Sequence, residues 1–242
     1  MNTSTSSAAV LKRRDSRNKK KDKDESLYRS SNRSDRYNEL GVSNYTGKRI
    51  IDLLVGSIGF LVFAIAYPII AIGIKLTSPG PVLFKQKRTG MFGEEFVCYK
   101  FRTMHVVQKQ SQNGKPIVTE KNDSRIFSFG QFLRKSNLDE LPQILNVIKG
   151  DMSLVGPRPY PVEECRYWDE VFEDHFYRYT TTPGITGLAQ ARGYRGGTLD
   201  EEQMRRRLNF DLIYTEKSNL ILDLKLIWKT VLQMIKRDTN AH

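Results

Sequence analysis

Residues 53–74 read LLVGSIGFLVFAIAYPIIAIGI, 22 residues without a single charge. As a helix rising 1.5 Å per residue the stretch is ~33 Å long, about the thickness of a bilayer's hydrocarbon core. A helix of this length inside a soluble core usually carries a polar stripe, and none is present. The stretch therefore reads as a membrane segment. Pro68 interrupts it, removing one backbone hydrogen bond and pushing Tyr67 away from helical geometry, so a kink or reversal is expected there. Lys48 and Arg49 precede it and Lys75, Lys85, Lys87 and Arg88 follow. Basic residues on both sides give no asymmetry with which to orient a single span. A re-entrant hairpin with both ends on the cytoplasmic side and a kinked full crossing fit these residues equally well.

Upstream, residues 1–45 are rich in Ser, Asn, Lys, Arg and Asp and show almost no apolar spacing, which predicts a disordered basic tail. The first apolar run begins near Ile50, too far from the start for a signal peptide. The chain carries 39 Lys+Arg against 27 Asp+Glu, a net +12, and more than half of that excess lies before residue 50. Cys98 and Cys165 stand far apart without a CxxC pattern, and the 3 histidines show no metal-ligand spacing. A zinc site is not expected, and a reducing compartment is.

Downstream, the turn cluster Ser78-Pro79-Gly80-Pro81 leads into VLFKQKRTG and EEFVCYKFRTMHVV, read as two strands of a hairpin joined through Gly90 and Gly93. Alternation along the second places Lys100 and Arg102 on one face. Paired cations suit a phosphate, while a solvated sheet face is the commoner fate of such residues. A polar loop follows, and beyond residue 183 PGITGLAQARGYRGG is Gly-rich but lacks both GxGxxG and GxxxxGK[ST], so neither a Rossmann nor a P-loop reading has support. Two helices are predicted at about 200–217 and 220–237, the second packing on the core or lying on a membrane surface with Trp228 at the interface.

The most informative stretch is LRKSNLDELPQILNVIKGDMSLVGPRPYP, beginning at Leu133. Leu141, Ile144, Leu145 and Ile148 form a helical face, and Pro142 requires the helix to begin around Asn137 to Asp139. Asp139 and Glu140 then occupy its cap or first turn. One reading makes Asn137 or Asp139 an N-cap with Glu140 completing a capping box. The other gives the pair chemistry: a carboxylate kept ionised at a helix start can act as nucleophile or metal ligand. Arg134 and Lys135 just upstream, and Arg158 between Pro157 and Pro159, supply cations that could meet phosphate oxygens.

KRIIDLLVG, the apolar segment broken by Pro68, SPGPVLFKQKRTG, KFRTM, LRKSNLDELPQILNVIKGDMSLVGPRP and PGITGLAQ, in this order, resemble the bacterial sugar transferases, the monotopic phosphoglycosyl transferases. The likeness covers about residues 46–237 and is to the short form of the family. It implies transfer of a sugar 1-phosphate from a UDP-sugar to undecaprenyl phosphate with release of UMP. That is the initiating step of exopolysaccharide, capsule, O-antigen or glycoprotein glycan synthesis. By the resemblance Asp139 is the nucleophile that forms a phosphosugar intermediate, Glu140 assists it in a magnesium site that the two carboxylates share, and Arg158 binds phosphate. Pro68 corresponds to the break of a re-entrant membrane helix. Lys100, Arg102 and Arg134 are added as phosphate-binding candidates from charge and spacing.

The expected fold is α+β: a mostly helical, membrane-associated domain with a small β-hairpin or sheet and an N-terminal re-entrant helix-break-helix. Residues 1–45 form the tail, 46–76 the membrane segment, and 77–242 a cytoplasmic catalytic region that makes one functional domain with it. The expected partners are the UDP-sugar, undecaprenyl phosphate and lipids of the bacterial inner membrane, with a homodimer compatible and nucleic acid not a partner. A membrane-anchored scaffold with a basic recruiting tail leaves the DELPQ and GPRP runs without a purpose. A glycosyltransferase that moves sugar alone would release UDP instead of UMP.

Overall fold

The computed structural model describes residues 44–106, 123–194, 196, 198 and 200–235. The tail expected over 1–45 lies outside the described residues except for its last two positions, as do the polar loop after Val106 up to Asp123 and the end of the last helix beyond Ile235.

Helix α1 spans Lys48–Thr77, 30 residues, and is helical through Pro68. Tyr67 keeps helical geometry, with its ring 5.5 Å from Phe63 and 6.0 Å from Phe101. A proline deprives a helix of a single hydrogen bond, and the neighbouring turns and packing carry the element past it. Among the described residues α1 is the helix long and apolar enough to cross a membrane. Its buried positions are Lys48, Asp52, Gly56, Phe63, Ile70 and Ile74, one stripe running from end to end. The other faces present Leu54, Ile58, Leu61, Ile65, Ile69, Ile72 and Leu76, all more than half exposed. So large an apolar surface suits lipid.

Strands β1 (Leu83–Thr89) and β2 (Glu95–Phe101) pair antiparallel, with Phe84 opposite Lys100 and Gln86 opposite Cys98. The predicted hairpin is present, closed by a 3-10 turn at Met91–Gly93. Helix α2 (Ser128–Lys135), a 3-10 turn at Leu138–Gln143 and helix α3 (Ile144–Lys149) follow. Strand β3 (Ser153–Val155) lies parallel to β4 (Gly184–Thr186) as a second two-stranded sheet. Between them come α4 (Val162–Val171) and a 3-10 segment at His175–Thr180. Helices α5 (Leu188–Ala191), α6 (Glu201–Lys217) and α7 (Leu220–Ile235) complete the order. The fold is thus mostly helical with small sheets and a long apolar helix near the start of the described residues.

Helix α1 is part of the core. Phe63, Ile70 and Ile74 share a cluster with Phe101, Phe127, Leu133, Ile144 and Val147. Close approach depends on glycines: a Cβ on Gly59 would stand 2.9 Å from Ile144, and one on Gly73 2.5 Å from Phe129. The amino end of α1 is pinned by charge. Lys48 Nζ donates to Asp223 of α7 at 2.6 Å, to the Tyr214 hydroxyl at 2.9 Å and to the Val155 carbonyl at 2.8 Å. Asp52 accepts from the Ser153 hydroxyl and the Leu154 amide. Removing one partner of a buried ion pair such as Lys48 and Asp223 costs about 3–5 kcal/mol. Helix α7 packs on the core through Leu226, with Leu222 and Ile227 partly buried beside it, whereas Leu220, Leu224 and Val231 of the apolar spacing read from sequence stay exposed along with Ile221 and Trp228.

Candidate active site

The hairpin and the segment carrying the acidic pair are locked in register by a buried asparagine. The Asn146 side chain donates to the Val97 carbonyl at 2.7 Å and accepts from the Tyr99 amide at 3.1 Å. That grip ties β2 to helix α3, which follows the 3-10 turn directly, and Lys100, next along the strand, meets Glu140 of the turn at 2.6 Å. Because Phe84, Gln86 and Arg88 are opposite Lys100, Cys98 and Phe96, these side chains share the hairpin face that carries Lys100.

Asn137 holds a left-handed conformation, φ 56°, that starts the 3-10 turn, but its side chain makes no capping bond. Glu140 does not close a capping box. Its Oε1 accepts from Lys100 and from Arg158 Nη2, each at 2.6 Å, and its Oε2 from Arg158 Nη1 at 3.3 Å. The Arg158 fork therefore grips one carboxylate with both terminal nitrogens. Among the described residues the Asp139 carboxylate accepts no hydrogen bond, although it lies beside this clamp.

The two carboxyls diverge in acidity for that reason. Burial pushes Asp139 up to about 6, against the opposing pull of Lys100. Burial also acts to raise Glu140, but Arg158 and Lys100 outweigh it and hold that carboxyl well below the usual range. Burial lowers Lys100 despite Glu140, whereas for Arg158 the carboxylate outweighs burial and the pKa is raised. Arg134 donates to the Thr103 hydroxyl at 2.9 Å and its charge is felt by Asp139.

The structure thus brings together Asp139, Glu140, Lys100, Arg158 and Arg134. It does not bring Arg102 to them. Strand β2 ends at Phe101, so the alternation that paired Lys100 with Arg102 stops between them. The Arg102 guanidinium instead donates to the Pro81 carbonyl and to the Ser78 hydroxyl and carbonyl, closing the turn after α1. Pro68 lies within α1, far from the acidic pair in sequence.

Arg158 is not on an extended surface loop. Pro157, Pro159 and Tyr160 are buried, and the loop is pressed against the Gly-rich stretch. Gly156 donates to Thr186 O at 2.8 Å and Gly184 to Pro157 O at 2.9 Å. A Cβ on Gly184 would fall 2.0 Å from the Gly156 nitrogen, so glycine is required where the two loops touch. The glycines of PGITG serve close packing, with no phosphate loop among them.

Arg88 was not singled out from sequence. It is buried, donates to the Pro159 carbonyl at 2.6 Å and interacts with the charges of Arg158 and Glu140. Its place two residues along from Gln86 on the Lys100 face was the available signal. Arg178 and Asp211, which back the same loop, carried none, because only folding brings residues 33 apart together.

A half-buried carboxylate pair of unequal acidity, with lysine and arginine around it and a long apolar helix in the same fold, has the make-up that phosphate chemistry uses. The chain matches the bacterial sugar transferase family over residues 43–237 and belongs to it. A protein of Caulobacter vibrioides described as a UDP-glucose:undecaprenyl-phosphate glucose-1-phosphate transferase is 41% identical over 196 residues, 81% of this chain and 72% of its own length. Proteins of Xanthomonas campestris and Escherichia coli with the same description are 43% and 40% identical, covering 70% and 76% of this chain. The chain spans 35% and 39% of the length of those two relatives.

Proposed function

We propose that the chain transfers a sugar 1-phosphate from a UDP-sugar to undecaprenyl phosphate at the cytoplasmic face of the bacterial inner membrane. The observation that carries the reading is the division of labour in the acidic pair: Glu140 is clamped by two cations, while Asp139 accepts no hydrogen bond among the described residues. A carboxylate left unengaged, with a pKa of about 6, is ionised near neutral pH and available as a nucleophile. Its oxygen attacks the β-phosphorus of the donor, the bond from that phosphorus to the bridging oxygen breaks, and UMP leaves with the electron pair. The resulting acyl phosphate carries the sugar. An oxygen of undecaprenyl phosphate then attacks the same phosphorus and displaces the Asp139 carboxylate. One phosphate pocket serves donor and acceptor in turn.

Anion attacking anion requires local positive charge. Lys100, Arg134 and Arg158 supply it, with Arg158 and Lys100 also holding Glu140 ionised. The donor set suits Mg2+, which is commonly held by one or two carboxylates together with substrate phosphates. Asp139 is unengaged and Glu140 Oε2 accepts one bond at 3.3 Å, so both retain lone pairs for it. Bound there, Mg2+ would offset the charge of the diphosphate.

The membrane arrangement in this reading has both ends of α1 on the cytoplasmic face. Support comes from packing: Lys48 at one end and Ile74 at the other are both buried against the same folded region, as is Phe63 between them. A perpendicular crossing would pull one end away from those contacts.

The test uses a UDP-sugar labelled in the sugar. Without acceptor, the wild type should release UMP in proportion to enzyme and retain label; a chase with undecaprenyl phosphate should move the label to lipid. Release of UDP, or kinetics that require a ternary complex with no retained label, would overturn the covalent route.

A further inference from the structure

Four consecutive carbonyls define the course of the loop that presents Arg158, and each has a donor. Pro157 O accepts from the Gly184 amide at 2.9 Å and Tyr160 O from the Thr89 amide at 3.1 Å. Pro159 O accepts from Arg88 at 2.6 Å, and Arg158 O from Arg178 Nη2 at 2.6 Å. Two prolines deprive this segment of amide donors and exclude it from a regular ladder. Its backbone is consequently held from outside, and at Arg158 itself by a side chain.

Arg178 is prepared for that task. Its Nε and Nη2 donate to Asp211 Oδ2 at 3.1 and 2.8 Å, and its guanidinium lies 4.3 Å from the Tyr160 ring centroid. Both members of the ion pair are 2% exposed at the side chain. Nη2 uses one hydrogen on Asp211 and the other on Arg158 O, so a single planar group spans helix α6 and the loop.

We infer that Arg178, oriented by Asp211, is a positioning residue that sets the Arg158 fork on Glu140 and on the donor's phosphates. The inference rests on the reaction proposed above. Lysine at 178 would retain a charge for Asp211 but lose the planar fork that reaches both acceptors. If Arg178 acts through Arg158, its replacement matters only while Arg158 is intact.

The experiment is a double-mutant cycle on the full-length chain in detergent, with Arg178→Lys, Arg158→Lys and the pair. UMP release is followed against UDP-sugar concentration, UDP binding by calorimetry and folding by thermal unfolding. Arg178→Lys should lower kcat/KM by about tenfold, the scale of one charge-assisted hydrogen bond. In the Arg158→Lys background the same change should alter kcat/KM less than about twofold. Equal losses in both backgrounds would overturn the inference, as would a lowered melting temperature with wild-type kcat and KM. Asp211→Asn, which keeps size and one acceptor, provides the same cycle if Arg178→Lys fails to fold. Should the wild type release no UMP, the proposed reaction fails on that control, while the coupling is still read from UDP affinity in the same variants.

Discussion

Arg158 Nη2 and Glu140 Oε1 stand 2.6 Å apart although 18 positions separate them in the chain. The contact joins the two motifs on which the site depends, and it decides which member of the acidic pair is free. The fork and Lys100 offset the charge of Glu140, so of the two neighbours Asp139 is the one whose carboxylate accepts no hydrogen bond among the described residues.

The rate should follow the ionisation of Asp139. With its pKa raised to about 6, turnover should rise with pH through that value and level off above it. A profile of kcat against pH checks this, and a limb that falls as pH rises through 6 would contradict it.

Asp139→Asn should abolish turnover and leave the fold intact. The folded-state pKa of Asp139 exceeds its ordinary 3.8, so its favourable contribution is present below that value and is lost as pH rises through about 6. Removing the ionisable group should therefore leave the melting temperature at pH 7.5 equal to or above that of the wild type. A marked drop would show that the carboxylate is structural.

Glu140→Gln should lose most turnover and alter acid stability. The Glu140 pKa is depressed, so its contribution is present above about 4.5 and is lost as pH falls through the lower folded value. Acid unfolding of the variant should be less steep over that window. An unchanged acid limb would separate Glu140 from the Lys100 and Arg158 clamp.

Arg102 offers a contrast with Arg158. Arg102→Gln should reduce thermal stability, because the Ser78 and Pro81 carbonyls lose their donors, while the KM for the UDP-sugar in the folded fraction should stay at the wild-type value. Arg158→Lys should remain folded and lose much of its catalytic efficiency. A raised KM in the Arg102 variant at unchanged stability would restore it to the phosphate site.

Cysteines introduced at Thr46 and Thr77, with Cys98 and Cys165 replaced, should be labelled in cells from the same side of the membrane. Labelling from opposite sides would establish a crossing and exclude the proposed arrangement.

Much of this was legible in the chain. Residues 53–74 have a composition that only lipid or a large core accepts, and local periodicity marked the hairpin, helix α6 to within a residue and the start of α7. The motif order marked the acidic pair and Arg158 through resemblance. What residues near each other in sequence cannot specify is which donor meets which acceptor. Lys100 and Arg102 look equivalent by alternation, yet strand β2 ends between them, and one reaches Glu140 while the other closes the turn after α1. Asp139 and Glu140 look equivalent as neighbours, yet burial raises one while two cations arriving from β2 and the Pro-Arg-Pro loop lower the other. Arg178 and Asp211 have no local signature at all, because their effect depends on helix α6 being packed behind that loop. Composition and periodicity act over a few residues and set the elements. Charge pairing and desolvation act through space, and only the packed chain brings those partners together.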